Sequence, residues 1–172
     1  MKTYVAIVMA LLLQAPVDAR SQLSSSPIPD FTATVLTGEK VSSAQLIGQP
    51  TVLIITPSTD AATDTRLWAE ALRKNVDQSG VRFIAVLAIE LPFFMSEEDA
   101  IGRAKEKIPV RYQDKTWIVS ESNLESALSI PRSSPKAFVF VLDAEGKIVA
   151  RVEGKPNHAK LYEVKRALRS ID

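Results

Sequence analysis

Residues 51–56 read TVLIIT and decide the fold, because this continuous apolar run consists mostly of β-branched residues. Such a run is typical of a strand buried on both faces of a sheet. Residues 82–89 have the same character and predict a second buried strand. Residues 64–76, between the two, predict an amphipathic helix with apolar side chains at Leu67, Trp68, Ala71, Leu72 and Val76. The three segments together predict a βαβ unit with parallel strands and a right-handed connection.

Two predicted hairpins flank this unit. Residues 32–41 alternate between apolar and polar side chains around a Thr-Gly-Glu turn and predict the first hairpin. The second is predicted by residues 137–142 and 147–152, which are separated by an Asp-Ala-Glu-Gly turn. A helix over residues 157–171 is expected to follow it.

Two more helices are predicted between the βαβ unit and the second hairpin. Ser96 precedes three acidic residues, which is typical of a helix start, and this helix is expected to run to about Lys107. Residues 123–128 predict a shorter one. This order of elements predicts an α/β, thioredoxin-like fold with an N-terminal β-hairpin extension and a central mixed sheet flanked by helices. The alternative is a flavodoxin-like doubly wound sheet, which needs another parallel strand in place of the terminal hairpin.

The N-terminus has the pattern of a secretory signal. Lys2 precedes an apolar run over residues 5–13, and Val-Asp-Ala ends at Ala19. We expect residues 1–19 to be a signal peptide cleaved after Ala19, residues 20–26 to be a linker, and residues 27–172 to be one domain in the periplasm or secreted. The alternative is a retained amphipathic anchor. No membrane span is expected after cleavage.

Composition excludes several classes of function. The chain has 21 basic and 20 acidic residues among 172, so it is not built to neutralise phosphates and nucleic acid is not an expected partner. It contains no cysteine. Disulfides, thiolate metal sites, lipoprotein attachment and cysteine nucleophiles are therefore all excluded.

Several segments resemble the redoxin family of alkyl hydroperoxide reductases and thiol-specific antioxidants, and most closely its thiol peroxidase branch. Residues 56–64, TPSTDAATD, are similar to that branch's Phe-Pro-Ser-x-Asp-Thr-x-x-Cys stretch. Residues 90–96, ELPFFMS, are similar to its Asp-Leu-Pro-Phe-Ala-x-Ser segment. Residues 29–50 resemble the family's first hairpin and short helix, and residues 137–146 its strand and turn after the active-site Arg.

The resemblance implies that the catalytic positions are degenerate. The peroxidatic cysteine would fall at Asp64, the Thr that precedes it at Ala61, and the resolving cysteine at Asp99. Lys136 is nearest the place of the active-site Arg but is shifted by one residue. Pro135 alternatively stands near the cis-proline that thioredoxins use.

A carboxylate cannot replace a thiolate in peroxide reduction, because it has no comparable step to a sulfenic acid. At a helix start Asp64 retains only the negative charge that a thiolate would have at this position. Two interpretations are open: a remodelled anion-sensing or binding pocket, or a helix-capping carboxylate. Asp60 lies four residues earlier, which suggests a carboxylate pair. Neither a metal nor another cofactor is expected, and His158 is interpreted as a surface residue.

The remaining candidates are aromatic residues and prolines. Phe93 and Phe94 form an apolar cluster in a predicted loop near the family's active-site mouth, and they are interpreted either as part of a partner-binding face or as packing under the loop. Trp68 and Trp117 are expected in the core. The candidate binding residues are Pro57, Asp60, Asp64, Phe93, Phe94 and Pro135.

Three functions remain open at this point. The first is an exported redoxin-like pseudoenzyme that binds another exported protein or a small ligand. The second is a family-type antioxidant oxidoreductase that works through a non-thiol site such as a metal or cofactor. The third is a structural interaction domain that recognises exposed protein segments. The sequence leaves the oligomeric state open.

Overall fold

The computed structural model describes residues 26–88, 90–119 and 123–171. The expected signal peptide and nearly all of the linker lie outside the described residues. Within them, seven strands form one sheet: β1 (Thr32–Val35), β2 (Lys40–Ser42), β3 (Thr51–Thr56), β4 (Arg82–Leu87), β5 (Thr116–Ile118), β6 (Phe138–Leu142) and β7 (Ile148–Glu153). The α-helices in the same residues are α1 (Ala62–Asn75), α2 (Glu97–Lys107), α3 (Leu124–Ala127) and α4 (His158–Arg169).

The strand order is β2-β1-β5-β4-β3-β6-β7. β3, β4 and β5 run parallel, while β1, β6 and β7 pair antiparallel to their neighbours, so the sheet is mixed. The predicted α/β fold, the βαβ unit and both hairpins are confirmed. The terminal hairpin β6–β7 stands where a flavodoxin-like sheet needs a further parallel strand, so that alternative is wrong.

β5 was missing from the predicted order of elements. Its three residues are too few to show a period in the sequence, and their pairing partner in β4 lies about thirty residues earlier. Trp117, at its centre, is buried as predicted. β5 lies between β1 and β4, so it joins the N-terminal hairpin to the βαβ unit.

The core has two layers because the central strand β3 is buried on both faces. Val52 and Ile54 face a cluster with Trp68 and Leu72 of α1 and with residues of α4. Leu53 and Ile55 face a second cluster on the opposite side, which contains Trp117 and the aromatic residues of β6. This alternation is the period of two that a strand imposes on its side chains.

Register places several chain segments at one edge of the sheet. Thr56, at the end of β3, pairs with Leu87 at the end of β4, and Leu87 pairs with Ile118 at the end of β5. Phe138 begins β6 beside Ile55. We call this side the carboxyl edge, since three parallel strands end there. The loops after β3 and β4 and the loop before β6 all emerge at it.

A cleft at the carboxyl edge as the candidate functional site

The loop after β3 and the loop before β6 are joined by a serine. Ser58 Oγ donates a hydrogen bond of 2.7 Å to the carbonyl oxygen of Ser134 and accepts one of 3.3 Å from the amide of Ala61. Ser58 thereby caps the short 3-10 turn Thr59–Ala61 that leads into α1. Pro57 is buried beneath this junction. The start of α1 is held against the loop that precedes β6.

Three segments that are distant in sequence enclose an open cleft of about 790 Å³ beside this junction. They are the start of α1, the end of the loop before β6, and the connection from β7 to α4. Its lining residues are Asp60, Thr63, Asp64, Pro135, Lys136, Glu153, Gly154, Lys155 and Lys160. The cleft brings together four residues singled out in the sequence: Asp60, Asp64, Pro135 and Lys136.

Asp64 is the buried acid of this cleft. Only 6% of the residue is exposed, although it is charged and lies in the first turn of α1. The positive end of the helix dipole favours such a carboxylate by about 0.3–1 kcal/mol. Its carboxylate has no hydrogen-bond or ion-pair partner among the described residues, whereas Asp60 at the rim is exposed to solvent.

Two of the lysines in the cleft are already engaged. Lys136 Nζ lies 3.0 Å from Glu153 Oε1, and this hydrogen bond is the main reason why the pKa of Glu153 is lowered. Lys160 Nζ donates to the carbonyl oxygens of Glu153 at 2.6 Å and of Lys155 at 3.1 Å. Neither ammonium is bonded to Asp64.

The β7–α4 wall of the cleft was missed in the sequence, because Glu153 to Lys160 lie about ninety residues from Asp64 and carry no family motif. A glycine directly after a predicted strand was the signal in the sequence that could have indicated a turn here. In the structure Gly154 adopts a φ of +73°, which L residues rarely adopt. A Cβ at Gly154 would stand 3.6 Å from Lys160 Nζ and 3.8 Å from Lys136 Cδ. These are ordinary van der Waals distances, so the positive φ rather than a lack of space is what favours glycine here.

Pro135 does not form a cis peptide, since every described peptide bond is trans. Pro135 lies in the loop directly before β6 and lines the cleft, and its correspondence to the cis-proline position of thioredoxins stays a prediction. The chain reverses direction two residues earlier. Ser133 adopts a φ of +52°, and the amide of Ser134 donates to the carbonyl of Pro131 at 3.1 Å.

Asp99 lies outside the cleft and forms a helix cap. Its amide donates to Ser96 Oγ at 3.1 Å, and its carboxylate accepts from the amide and hydroxyl of Ser96 at 3.2 and 2.8 Å. These bonds from Ser96 lower the pKa of Asp99. They form the capping box of α2. Asp64 and Asp99, the two positions assigned to redox cysteines, thus do not line one cavity.

The aromatic residues of the loop after β4 point into solvent. Phe93 is fully exposed and Phe94 is 71% exposed, with their ring centroids 5.4 Å apart in an edge-on arrangement. The interpretation that these side chains pack under the loop is therefore wrong. They lie at the carboxyl edge but do not line the cleft around Asp64.

The described residues contain no group of three or more His, Asp or Glu side chains that could hold a metal ion. His158 begins α4 and is exposed. In residues 26–88, 90–119 and 123–171, no helix is long and apolar enough to cross a membrane.

Comparison with solved structures identifies the fold. A candidate electron transfer protein from Aquifex aeolicus matches with a TM-score of 0.65 and 19% identity, covering 86% of this chain and 97% of that one. The exposed lipoprotein thioredoxin Etrx1 of Streptococcus pneumoniae matches with a TM-score of 0.56 and 13% identity, covering 83% and 99%. The chain has a thioredoxin-like fold. A candidate thiol:disulfide interchange protein DsbE from Chlorobium tepidum is similar to this thioredoxin-like domain at a TM-score of 0.59 and 13% identity, covering 86% and 96%.

Comparison at the level of sequence adds no family to this fold: no family model and no curated protein matches the chain. The resemblance to the thiol peroxidase branch stays a prediction based on the motifs at residues 56–64 and 90–96. The structural neighbours are of the thiol–disulfide type, while this thioredoxin-like domain has no thiol.

Proposed function

We propose that this thioredoxin-like domain acts by binding, as a pseudoenzyme whose cleft at the carboxyl edge takes a ligand or a segment of a partner. The observation that carries the proposal is Asp64. The residue is 6% exposed, its carboxylate has no partner among the described residues, and it lines an open cleft at the position where the redoxin motif has its peroxidatic cysteine.

The chemistry of the chain supports binding over thiol catalysis. Without cysteine there is no thiolate that can attack a peroxide bond or exchange a disulfide. Two walls of the cleft are nevertheless held together, because Ser58 joins the start of α1 to the loop before β6. The cleft volume of about 790 Å³ lies within the range of about 300–1,000 Å³ that is usual for small-ligand sites.

Export is part of the proposal. The N-terminal pattern ending at Ala19 is that of a secretory signal, and one structural neighbour is an exposed lipoprotein thioredoxin. The expected partner is therefore another exported protein or a small molecule outside the cytoplasm. Mass spectrometry of the protein purified from an expressing cell envelope should show a chain beginning at Arg20; an intact Met1 would contradict export by signal cleavage.

A fragment screen tests the binding function directly. We expect ¹⁵N–¹H spectra recorded with a few hundred small polar compounds to show shift changes concentrated at the residues that line the cleft. Thr63→Trp places a bulky ring in the cleft at an exposed position and should abolish these changes. Thr59→Trp is the matched control, because Thr59 is also exposed near the start of α1 but does not line the cleft.

The screen and one activity assay can contradict the proposal. Shift changes that are scattered over the surface, or that survive Thr63→Trp, would show that the cleft is not the binding site. Hydroperoxide reduction by the purified mature protein far above the buffer rate would show that the chain is an enzyme after all, working through a non-thiol site.

A further inference from the structure

We infer that the ligand group entering this cleft is cationic, a primary ammonium or a guanidinium, and that it pairs with the carboxylate of Asp64. The inference rests on the proposed binding function and adds the chemical class of the ligand. It follows from the charges that line the cleft and from which of them are already paired.

Burial makes an unpaired carboxylate at Asp64 costly. Asp64 is 6% exposed, and a carboxylate with so little access to water is stabilised by a counter-charge or by hydrogen bonds that replace its lost solvation. The dipole of α1 replaces only part of that solvation. A ligand cation at Asp64 would supply the missing partner, and the open cleft gives it access.

Among the described residues, the lysines that line the cleft do not supply this partner. Lys136 is paired with Glu153 at 3.0 Å, and Lys160 is held by two backbone carbonyls. Lys155 lies at the exposed rim, beyond the Gly154 turn. Glu153 and Lys136 neutralise each other and Lys160 is held at the Glu153 and Lys155 carbonyls, so Asp64 is the buried charge of the cleft without a partner among the described residues.

An anionic ligand is disfavoured by the same arrangement. The N-terminus of a helix ordinarily attracts anions, but here Asp64 places the chain's own negative charge in the first turn of α1. Asp60 adds a second negative charge at the exposed rim. Next to Asp64 a carboxylate or phosphate is repelled and an ammonium attracted, although Lys155 and Lys160 line the same cleft.

Four probes of equal chain length test the charge preference. The mature protein is titrated with n-butylammonium chloride, n-butylguanidinium chloride, sodium butyrate and n-butanol at constant ionic strength, and ¹⁵N–¹H shifts are followed. We expect the two cations to give saturable shifts at Thr63, Asp64 and Gly154 with a Kd on the order of 1–10 mM, as befits ligands of five to eight heavy atoms. Butyrate and butanol should give none.

Variants assign the effect to Asp64. Asp64→Asn keeps the shape and removes the charge, and should weaken n-butylammonium binding at least tenfold. Asp60→Asn is the control at the rim and should weaken it by less than threefold. Nα-acetyl-lysine N-methylamide distinguishes the source of the cation: binding tighter than n-butylammonium points to a lysine side chain of a partner protein, and weaker binding points to a free amine.

The outcomes separate this inference from the proposed function. Saturable binding of butyrate at the cleft without binding of the cations would overturn the cationic ligand and leave a binding cleft in place. Retention of n-butylammonium affinity in Asp64→Asn would also overturn it. If the charge-conserving double variant Lys136→Met, Glu153→Gln raises that affinity more than fivefold, Lys136 itself occupies Asp64 in solution and an external cation is not its partner. Absence of any ligand in both this titration and the fragment screen would overturn the binding function as well.

Discussion

Trp68 Nε1 donates a hydrogen bond of 2.7 Å to the carbonyl oxygen of Gly154. Trp68 lies in α1 and is completely buried, while Gly154 lies in the turn between β7 and α4. Since Asp64 is one helical turn before Trp68, this bond sets the distance between two walls of the cleft. A core residue thus positions the candidate site.

Trp68→Phe should therefore destabilise the protein by about 2–3 kcal/mol, because the Gly154 carbonyl loses its donor and part of the ring volume is lost. The measurement is the free energy of unfolding in urea. Trp117→Phe is the control, since Trp117 is also buried but its indole has no hydrogen bond to a described residue. Equal losses for the two variants would show that ring volume alone matters.

Asp64→Cys should not produce a peroxidase. A thiol there would be buried, which disfavours the thiolate, Ala61 offers no hydroxyl, and Lys136 is paired with Glu153. We expect hydroperoxide consumption with dithiothreitol to remain within twofold of the Asp64→Ser control. Turnover a hundredfold above that control would show that the site is not remodelled.

Glu125→Gln should stabilise the protein at neutral pH by about 0.5–1 kcal/mol. Glu125 Oε1 is buried without a hydrogen-bond partner in the described residues, and burial, followed by the charge of Glu90, raises the pKa of Glu125 although Arg132 opposes the shift. A raised native pKa means that the native state holds its proton longer than the unfolded state. The penalty of ionisation therefore grows as pH rises through the carboxyl range past the native pKa.

The gain from Glu125→Gln should accordingly disappear below about pH 4, where the carboxyl is protonated in both states. Urea unfolding at pH 3.5, 5 and 7 measures this dependence. Glu106→Gln is the control on the exposed side of α2 and should show no such trend. A gain that is the same at all three pH values would contradict the role of ionisation.

The double variant Phe93→Ser, Phe94→Ser should change the free energy of unfolding by less than about 0.5 kcal/mol, because both rings are exposed. Phe31→Ser should cost at least about 3 kcal/mol, since Phe31 is 5% exposed and packs near Trp117. Thermal and urea denaturation compare the two. A loss above 2 kcal/mol in the double variant would show that the rings are packed in solution.

Local patterns predicted most elements of the fold. The apolar run of β3, the alternation of the hairpins and the start of α2 at Ser96 each depend on neighbours within one element, so they can be recognised without the partner segments. Element ends were less well predicted. α1 begins at Ala62 rather than Asp64, because Ser58 and a 3-10 turn lead into it.

The sequence by itself determined that no thiol chemistry is possible, because cysteine is absent, and it placed Asp64 in the first turn of a helix after a buried strand. Only the tertiary structure decided that Asp64 is buried without a partner in the part of the chain that the structure describes, and that Asp99 is a helix cap away from the cleft. It also decided that the third wall comes from Glu153 to Lys160. Burial and ion pairing between segments about ninety residues apart depend on how the sheet brings them together, and no local pattern encodes that distance.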